Sequence, residues 1–197
     1  MDRKRKMILT NATNLIKRYG IKKTTIEDIA KECKLTTSAL YYYFKNKDEI
    51  ISEVFLLIQE EKMITMKKNL EQQKGDAISK LKNYITSNLN FLLSFRRDYS
   101  INIYDIADQF DTLQKAKSKG IKDEKELVKS ILEEGSVSGL LSIENIDLTA
   151  ELINHLIGGI AGFIFHSEDD NHLNKYIEEM PDMIIHILMK GLEARKA

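Results

Sequence analysis

A single proline, Pro181, interrupts the 197 residues of this chain. Proline disrupts helix interiors, and a long all-β chain would need many turn residues, so this scarcity favours a helical protein. The apolar residues agree, because they recur every three or four positions, as on one face of a helix. Three such stripes are Ile8, Ala12, Leu15, Ile16 and Tyr19; Ile26, Ile29, Ala30 and Cys33; and Ile51, Val54, Phe55 and Ile58. The sequence shows no sustained alternation of period two, and we therefore expect an all-α fold.

Short polar signals mark where several helices begin and end. The segment Thr25–Asp28 has the form of a capping box, in which a hydroxyl accepts free backbone N–H groups and an acid follows in the first turn. Asn46–Glu49 has the same form, and Asp147 is the expected N-cap of a helix that starts at Leu148. Gly20 follows the first apolar stripe and is expected to end that helix.

The charge is divided unequally along the chain. Lys and Arg number 30 and Asp and Glu number 30, so the formal net charge is zero. Residues 1–48, however, hold 12 basic and 5 acidic residues, a net charge of +7, and residues 49–197 hold 18 and 25, a net charge of −7. A basic N-terminal segment on an acidic body fits a nucleic-acid module attached to a larger domain. A solvated basic surface is the alternative.

Several classes of protein are excluded by simple counts. The one cysteine, Cys33, cannot form an internal disulfide, which excludes a disulfide-stapled secreted scaffold. Its place on an apolar helix face favours a core residue over a reactive thiol. The longest run without a polar residue, 156–165, has ten residues, whereas a membrane-spanning helix needs about 20. We therefore expect a soluble, cytoplasmic protein with no membrane partner.

The segment from Thr25 to Phe44 has the proportions of a helix-turn-helix. One short helix over residues 25–33 and another over residues 37–44 are separated by a tight break at Lys34 and Leu35. Ala30 supplies the small side chain that is expected where two helices cross closely. The shared core is expected to comprise Ile26, Ile29, Cys33, Leu35, Leu40 and Phe44, with Leu15 and Ile16 of the first helix.

The outer face of the second short helix suits the major groove of DNA. It presents hydroxyl and phenol groups and carries no carboxylate, so it can reach base edges and phosphates without repelling the DNA backbone. Lys45 and Lys47 follow at its exit, where phosphates would lie. In the alternative, Tyr41 and Tyr43 pack in the core and expose only their hydroxyl groups.

Residues 20–51, GIKKTTIEDIAKECKLTTSALYYYFKNKDEII, resemble the helix-turn-helix signature of the TetR family of bacterial transcriptional regulators. The resemblance implies an all-α fold of about nine helices. Three N-terminal helices would form a helix-turn-helix DNA-binding domain, placed at residues 1–47, and the rest a ligand-binding and dimerisation domain, placed at residues 48–197. It further implies a homodimer that binds a double-stranded DNA operator, usually as a repressor controlled by a small-molecule effector. We expect neither a cofactor nor an enzymatic activity.

The resemblance also assigns roles to individual residues. Five occupy positions that usually face DNA, namely Thr36, Thr37, Ser38, Tyr41 and Tyr42. Thr25 and Lys47 occupy positions that usually face phosphates. Lys45 stands where many members of the family have proline, and it adds a candidate phosphate contact.

In the C-terminal domain, an effector pocket is predicted from residue types. Large, adaptable side chains that suit an apolar pocket are Met63, Met66, Phe91, Phe95, Tyr104, Phe110, Phe163 and Phe165, with Tyr104 and His166 as polar partners. They favour a small apolar or amphipathic effector, although plain core packing explains most of them taken singly.

The last two predicted helices have the pattern of an oligomer interface. Glycine weakens a helix by about 0.8–1.0 kcal/mol relative to alanine, so the cluster of Gly158, Gly159 and Gly162 indicates close backbone approach. Pro181 is expected to kink the last helix or to mark its restart. The candidates for a four-helix dimer seam are Leu152, Leu156, Gly159, Ile160, Phe163, Ile184, Ile187 and Leu188. Burial within the chain is the alternative for about half of them.

One segment offers an alternative function. His166, Asp169 and His172 are spaced so that a turn could bring nitrogen and oxygen ligands together around zinc or another transition metal. The chain would then be a metal-responsive regulator or a small helical metal-binding enzyme. A polar loop between the last two helices is the plainer interpretation, and we predict no metal.

Overall fold

The fold is all-α in the computed structural model, which describes residues 2–99, 110–167 and 170–192. Those ranges contain eight helices and no strand. In chain order they are α1 (Arg3–Tyr19), α2 (Ile26–Glu32), α3 (Thr37–Tyr41), α4 (Lys47–Gln72), α5 (Ala77–Tyr99), α6 (Phe110–Val137), α7 (Ile146–His166) and α8 (Asp170–Leu192). The expected all-helical class is confirmed.

Two of the predicted helix boundaries are confirmed by their hydrogen bonds. Gly20 ends α1 with a φ of 83° and donates its N–H to the carbonyl of Ile16 at 2.8 Å. That left-handed conformation favours glycine. Thr25 and Asp28 form the reciprocal capping box of α2, each side chain accepting a hydrogen bond from the backbone N–H of the other.

Two boundary predictions are wrong in detail. The N-cap of α7 is Asn145, whose side-chain oxygen accepts from the Leu148 N–H at 2.9 Å, and not Asp147. Asp147 lies in the first turn, where its carboxylate pairs with Lys125 at 2.8 Å. The predicted helix over residues 37–44 ends instead at Tyr41, because the chain tightens there and the Tyr43 N–H donates to the Leu40 carbonyl, three residues back.

Pro181 lies inside α8, which runs through it from Asp170 to Leu192. The helix therefore does not restart at the proline.

The chain packs as two compact units. The first comprises the chain up to Glu61 together with Ser94–Gly120. Its core lies between α1, α2, α3 and the start of α4, and fully buried members are Ile8, Leu9, Ala12, Leu40, Ile50 and Val54. Cys33 is buried there, the Asn11 amide donates to its sulfur at 3.3 Å, and burial raises the pKa of the thiol. These observations confirm it as a core residue.

The second unit comprises Lys62–Leu93 and the chain from Ile121 onwards. Its fully buried side chains come from α5, α6 and α7 and include Leu81, Ile85, Leu89, Val128, Leu132 and Ala150. Helix α4 passes from the first unit into the second, so packing does not follow the division at residue 47. The split into a DNA-binding domain (1–47) and an effector domain (48–197) is functional and remains a prediction.

Candidate nucleic-acid interface and the helical body

A tight turn connects α2 to α3 and fixes the direction in which α3 leaves. The Leu35 N–H donates to the Ala30 carbonyl at 2.9 Å, and the Lys34 N–H donates to the Lys31 carbonyl at 3.0 Å. This pair of bonds is a Schellman motif, which satisfies carbonyls at the end of a helix and requires a left-handed residue after it. That residue is Lys34, with a φ of 55°. A non-glycine residue therefore holds the strained position of the helix-turn-helix.

The start of α3 is fixed by its own hydroxyl. The Thr36 oxygen accepts from the Ala39 N–H at 3.1 Å, so Thr36 caps the helix and still exposes its side chain. Ser38 is exposed and Thr37 is half-buried. The three predicted hydroxyl contacts are thus at or near the surface in the first turn, where a base edge or phosphate can reach them.

The opposite face of α3 and the turn that follows it are anchored in the core. Leu40 and Phe44 are 0% and 1% exposed, whereas Tyr41 and Tyr42 are 50% and 84% exposed. Tyr43 is half-buried, and its ring meets that of Tyr42 edge-on with the centroids 5.1 Å apart. The structure therefore separates a buried anchor from an exposed phenol face, and Tyr43 belongs in part to the anchor.

A residue that the sequence did not single out holds this arrangement in place. The Arg5 guanidinium lies 4.0 Å from the centre of the Phe44 ring and donates to the backbone oxygen of Tyr43. It also donates to the carboxylates of Glu53, through Nε at 3.0 Å, and of Glu49, at 3.2 Å. These hydrogen bonds, chiefly that to Glu53, raise the pKa of Arg5. Arg5 therefore ties α1 to the exit of α3 and to α4.

We call the contacts of Arg5 with Phe44, Tyr43, Glu49 and Glu53 the Arg5 clamp. Its member Glu49 also takes part in the hydrogen bonds that begin α4. Asn46 accepts from the Glu49 N–H at 2.8 Å, and Glu49 accepts from the Lys45 N–H at 2.7 Å. The second bond, with the help of Arg5, lowers the pKa of the Glu49 carboxyl. Two glutamates one helical turn apart, at positions 49 and 53, were the available sequence signal for an arginine partner.

The three predicted phosphate contacts differ in exposure. Lys45 is exposed, and Thr25 is exposed while its hydroxyl donates to Asp28 at 2.6 Å and lowers the pKa of that carboxyl. Lys47 is half-buried, burial lowers its pKa, and its ammonium lies 3.5 Å from the carbonyl oxygen of Lys22. Their contacts with DNA remain predictions.

The predicted pocket residues do not form one described cluster. Met63 and Met66 are buried on α4, Phe91 is half-buried on α5, and Phe95 is buried beside Phe55 in the first unit. Phe165 is buried near the end of α7, whereas its neighbours Phe163 and His166 are exposed. Tyr104 and the side chain of Phe110 lie outside the described residues.

The second unit contains a buried polar cluster that the periodicity of its helices does not predict. The Lys62 ammonium pairs with the Glu124 carboxylate at 2.6 Å and lies 4.8 Å from the centre of the Phe91 ring. The Tyr84 hydroxyl donates to the Asn154 side-chain oxygen at 2.8 Å. Asn88, which is 0% exposed, donates its amide to the Tyr84 carbonyl at 3.1 Å. Burial raises the pKa of Tyr84, so its hydroxyl stays protonated and a donor.

A stripe of exposed leucines runs along α7, beside the exposed polar side chains of Glu151 and His155. Leu148, Leu152 and Leu156 are 62%, 55% and 44% exposed. The glycines at 158, 159 and 162 have open space where a Cβ would stand, with nothing within 4 Å among the described residues. Helix α7 is long and apolar enough to cross a membrane, judged by length and composition alone. Core helices of soluble proteins share this property. Of the predicted seam on α8, Ile187 is 65% exposed, and Ile184 and Leu188 are half-buried.

The metal alternative gains no support. His166 is exposed at the end of α7, while Asp169 and the side chain of His172 lie outside the described residues. Within the described part of the chain, no three His, Cys, Asp or Glu side chains are grouped so that they could hold a metal ion.

Together, the capped turn, the buried anchor and the exposed hydroxyl and phenol face define a helix-turn-helix DNA-binding module on an all-helical body. The chain belongs to the tetR family of bacterial regulatory proteins, whose N-terminal region matches residues 8–54. Residues 59–194 match the C-terminal region of QacR-like proteins. The protein is therefore a DNA-binding transcriptional regulator.

A curated relative agrees with this assignment, and two solved structures share the fold. The HTH-type transcriptional regulator YhgD of Bacillus subtilis (strain 168) is 27% identical over 154 residues, which cover 76% of this chain and 78% of that protein. Among solved structures, a transcriptional regulator from Cytophaga hutchinsonii superposes with a TM-score of 0.81 at 22% identity, covering 98% of this chain and 100% of the other. A TetR-family regulator from Pectobacterium atrosepticum gives a TM-score of 0.76 at 17% identity, covering 98% and 95%.

Proposed function

We propose that the protein is a cytoplasmic homodimeric repressor that releases a near-palindromic operator when a small apolar or amphipathic effector binds the C-terminal domain. The observation that carries the DNA contact is the α3 surface, where Thr36, Ser38, Tyr41 and Tyr42 are exposed and no carboxylate is present. Hydroxyl and phenol groups can donate to bases and phosphates, and the basic segment around them supplies the attraction to DNA.

Dimerisation is supported by the outer face of α7. Exposed leucines over two helical turns leave apolar surface in water, which costs about 25 cal/mol for each Å². Glycines with open space beside them let a second backbone approach closely. A symmetric dimer that packs α7 and α8 against the same helices of a second copy would bury both features.

A symmetric dimer has a consequence for the operator. Two α3 helices related by a twofold axis must lie about 34–36 Å apart to enter successive major grooves on one side of the duplex. The operator is then near-palindromic, because each half-site is read by an identical helix.

The same geometry supplies the switch. An effector that binds the body more tightly in another spacing of the two α3 helices lowers operator affinity by its differential affinity for the two states. Helix α4 is suited to couple the two events, since it runs without a break from Lys47, beside the DNA-binding helices, to Gln72 in the body.

The test is a gel-shift series on the DNA upstream of the protein's own gene. We expect specific binding that is weakened by Tyr41→Ala and by Thr37→Ala, each checked for unchanged helicity by circular dichroism. Specific binding that survives both substitutions would assign recognition to another surface, and no specific binding even at low salt would contradict the proposal.

A further inference from the structure

The body of the protein contains a buried polar cluster for which packing gives no explanation. Four helices contribute to it: Lys62 from α4, Tyr84, Asn88 and Phe91 from α5, Glu124 from α6 and Asn154 from α7. The three α5 residues share one face, at spacings of four and three positions. The cluster therefore lies where α4, α5, α6 and α7 converge in the second unit.

Each of two carboxamides in this cluster has one atom that forms a hydrogen bond and one atom that has no partner among the described residues. The side-chain oxygen of Asn88 and the side-chain nitrogen of Asn154 are buried and have no hydrogen-bond partner among the described residues. A buried polar atom without a partner costs about 1–3 kcal/mol, and such atoms in a native protein call for an explanation. Both asparagines contact Tyr84, Asn154 at its hydroxyl and Asn88 at its backbone carbonyl. A molecule that presents a donor and an acceptor can therefore satisfy the free acceptor and the free donor of this cluster.

The two members of the Lys62–Glu124 ion pair in this cluster differ in their exposure to solvent. The Lys62 side chain is 6% exposed and the Glu124 side chain is 15% exposed. Removing one member of a buried pair leaves the other charge uncompensated, which is strongly unfavourable, so an exchange needs an incoming group of the same sign. Glu124 lies nearer to solvent and can be rehydrated more easily than Lys62, so an incoming anion is favoured over an incoming cation.

We propose that this cluster recognises the polar head of the effector, an anionic group with an adjacent hydrogen-bond donor, which replaces the Glu124 carboxylate as the partner of Lys62. The donor of the head group donates a hydrogen bond to the Asn88 side-chain oxygen, and the anion accepts one from the Asn154 side-chain amide. The apolar remainder of the effector packs on the apolar side chains around the cluster. The inference rests on the proposed control by an effector, and it names the chemistry of that effector.

The experiment uses the full-length protein and three probes that share one alkyl chain. Binding of decanoate, 3-hydroxydecanoate and decylammonium is measured by isothermal titration calorimetry below their micellar concentrations. We expect stoichiometric binding of decanoate, tighter binding of its hydroxylated analogue, and no binding of decylammonium. Binding of decylammonium alone, or of none of the three, would overturn the proposal.

Two nearly isosteric variants decide the site. Glu124→Gln removes the internal competitor, so decanoate should bind about tenfold more tightly, whereas a cation site would lose its affinity. Asn154→Asp keeps an acceptor for Tyr84 but replaces the amide donor by a charge, and should weaken decanoate binding at least tenfold. The matched control is Glu134→Gln, on the same helix as Glu124, which loses only an exposed ion pair with Lys80 of α5 and should change nothing. Decanoate binding that is indifferent to the first two variants would place it elsewhere and refute the proposal.

A gel shift with the operator separates this inference from the proposed function. If decanoate binds as expected while the operator stays bound, the site is correct and control by this effector class is not. If a ligand releases the operator and its affinity is unchanged by Glu124→Gln and Asn154→Asp, the switch is correct and the site is wrong.

Discussion

Helices α3 and α7 both expose a face that the described residues leave uncovered, but the two faces have opposite chemistry. On α3 and its two capping residues the exposed groups are hydroxyls and phenols, and the C-cap Tyr42 is the most exposed at 84%. On α7 they are leucines, with glycines that have open space beside them. The hydroxyl groups of the first face can form hydrogen bonds with water, so this face can stay exposed in the absence of DNA. Contact with water is unfavourable for the second, so the proposed dimer would keep it buried.

Because both faces are exposed, exposure alone does not identify the partner that binds a face. The polarity of the exposed face indicates the kind of partner and how long it stays bound. An obligate apolar interface and a transient polar one can lie on the same chain. The proposed function needs both, because a dimer built on α7 would present two α3 helices to one operator.

The largest effect is expected from breaking the α7 face. Leu156→Glu places a charge in the proposed seam, so the protein should sediment as a monomer. Operator affinity should then fall by about 10²–10⁴, because the second half-site no longer binds intramolecularly. Analytical ultracentrifugation and fluorescence anisotropy measure the two effects.

The matched control for this change is Ile64→Glu, at an apolar α4 residue that is 68% exposed. It should leave both the mass and the affinity unchanged. A dimer that tolerates Leu156→Glu would remove α7 from the interface.

Glycines give a second contrast, between a closed and an open site. A Cβ on Gly135 of α6 would lie 2.7 Å from Leu141 Cγ and 3.0 Å from Ala77 Cβ, so Gly135→Ala should destabilise the fold by about 1–3 kcal/mol through overpacking. A Cβ on Gly159 would have no neighbour within 4 Å among the described residues. Gly159→Ala should weaken the dimer without destabilising the subunit, since alanine favours a helix.

Urea denaturation at several protein concentrations separates these two terms. Equal effects of the two substitutions at all concentrations would mean that the open space beside Gly159 has no role in association.

A smaller effect is expected from the phosphate contacts of the polar region. Lys47→Ala should weaken binding to specific and nonspecific DNA alike and reduce the slope of log affinity against log salt by about one for each subunit. Salt titrations of both DNAs by fluorescence anisotropy provide the check. A loss confined to the specific sequence would show that Lys47 acts on recognition, and an unchanged slope would show that it makes no phosphate contact.

The smallest effect concerns the turn before α3. Lys34 has a φ of 55°, so Lys34→Gly should relieve strain and change stability by about 1 kcal/mol or less, offset in part by the freedom that glycine gains in the unfolded chain. Thermal denaturation measures it, with Lys31→Gly inside α2 as the control, which should destabilise by about 1 kcal/mol. A large loss of stability in Lys34→Gly would mean that its side chain holds the turn.

The helix-turn-helix could be predicted because its determinants are local. The Thr25 capping box and the stop at Gly20 need only neighbours within a few residues, and the charge asymmetry is visible without a structure. The end of α3 was placed three residues too far, because hydrogen bonds that tighten a last turn leave no trace in apolar periodicity. The cap of α7 was misplaced because Asn145 and Asp147 are both good capping residues, and only the pairing of Asp147 with Lys125 distinguishes them.

The Arg5 clamp and the polar cluster could not be predicted, because they join residues far apart in the chain. Arg5 meets Glu53 across 48 positions, and Tyr84 meets Asn154 across 70. Which polar side chains converge depends on how helices pack, and the periodicity of each helix alone does not contain that information. For the polar cluster the sequence offers one signal, Asn88, an amide that lies one helical turn from the apolar residues Ile85 and Leu92.

Recognition of a symmetric operator by α3 can be measured by anisotropy titration of an operator duplex from the upstream region. Wild-type protein should bind the full site far more tightly than a single half-site, and the Thr37→Ala, Tyr41→Ala double variant should bind it no better than random DNA. The exposed Tyr19→Ala on α1 should bind like the wild type. Equal affinity for operator and random DNA by the wild type, or full specificity in the double variant, would contradict the account.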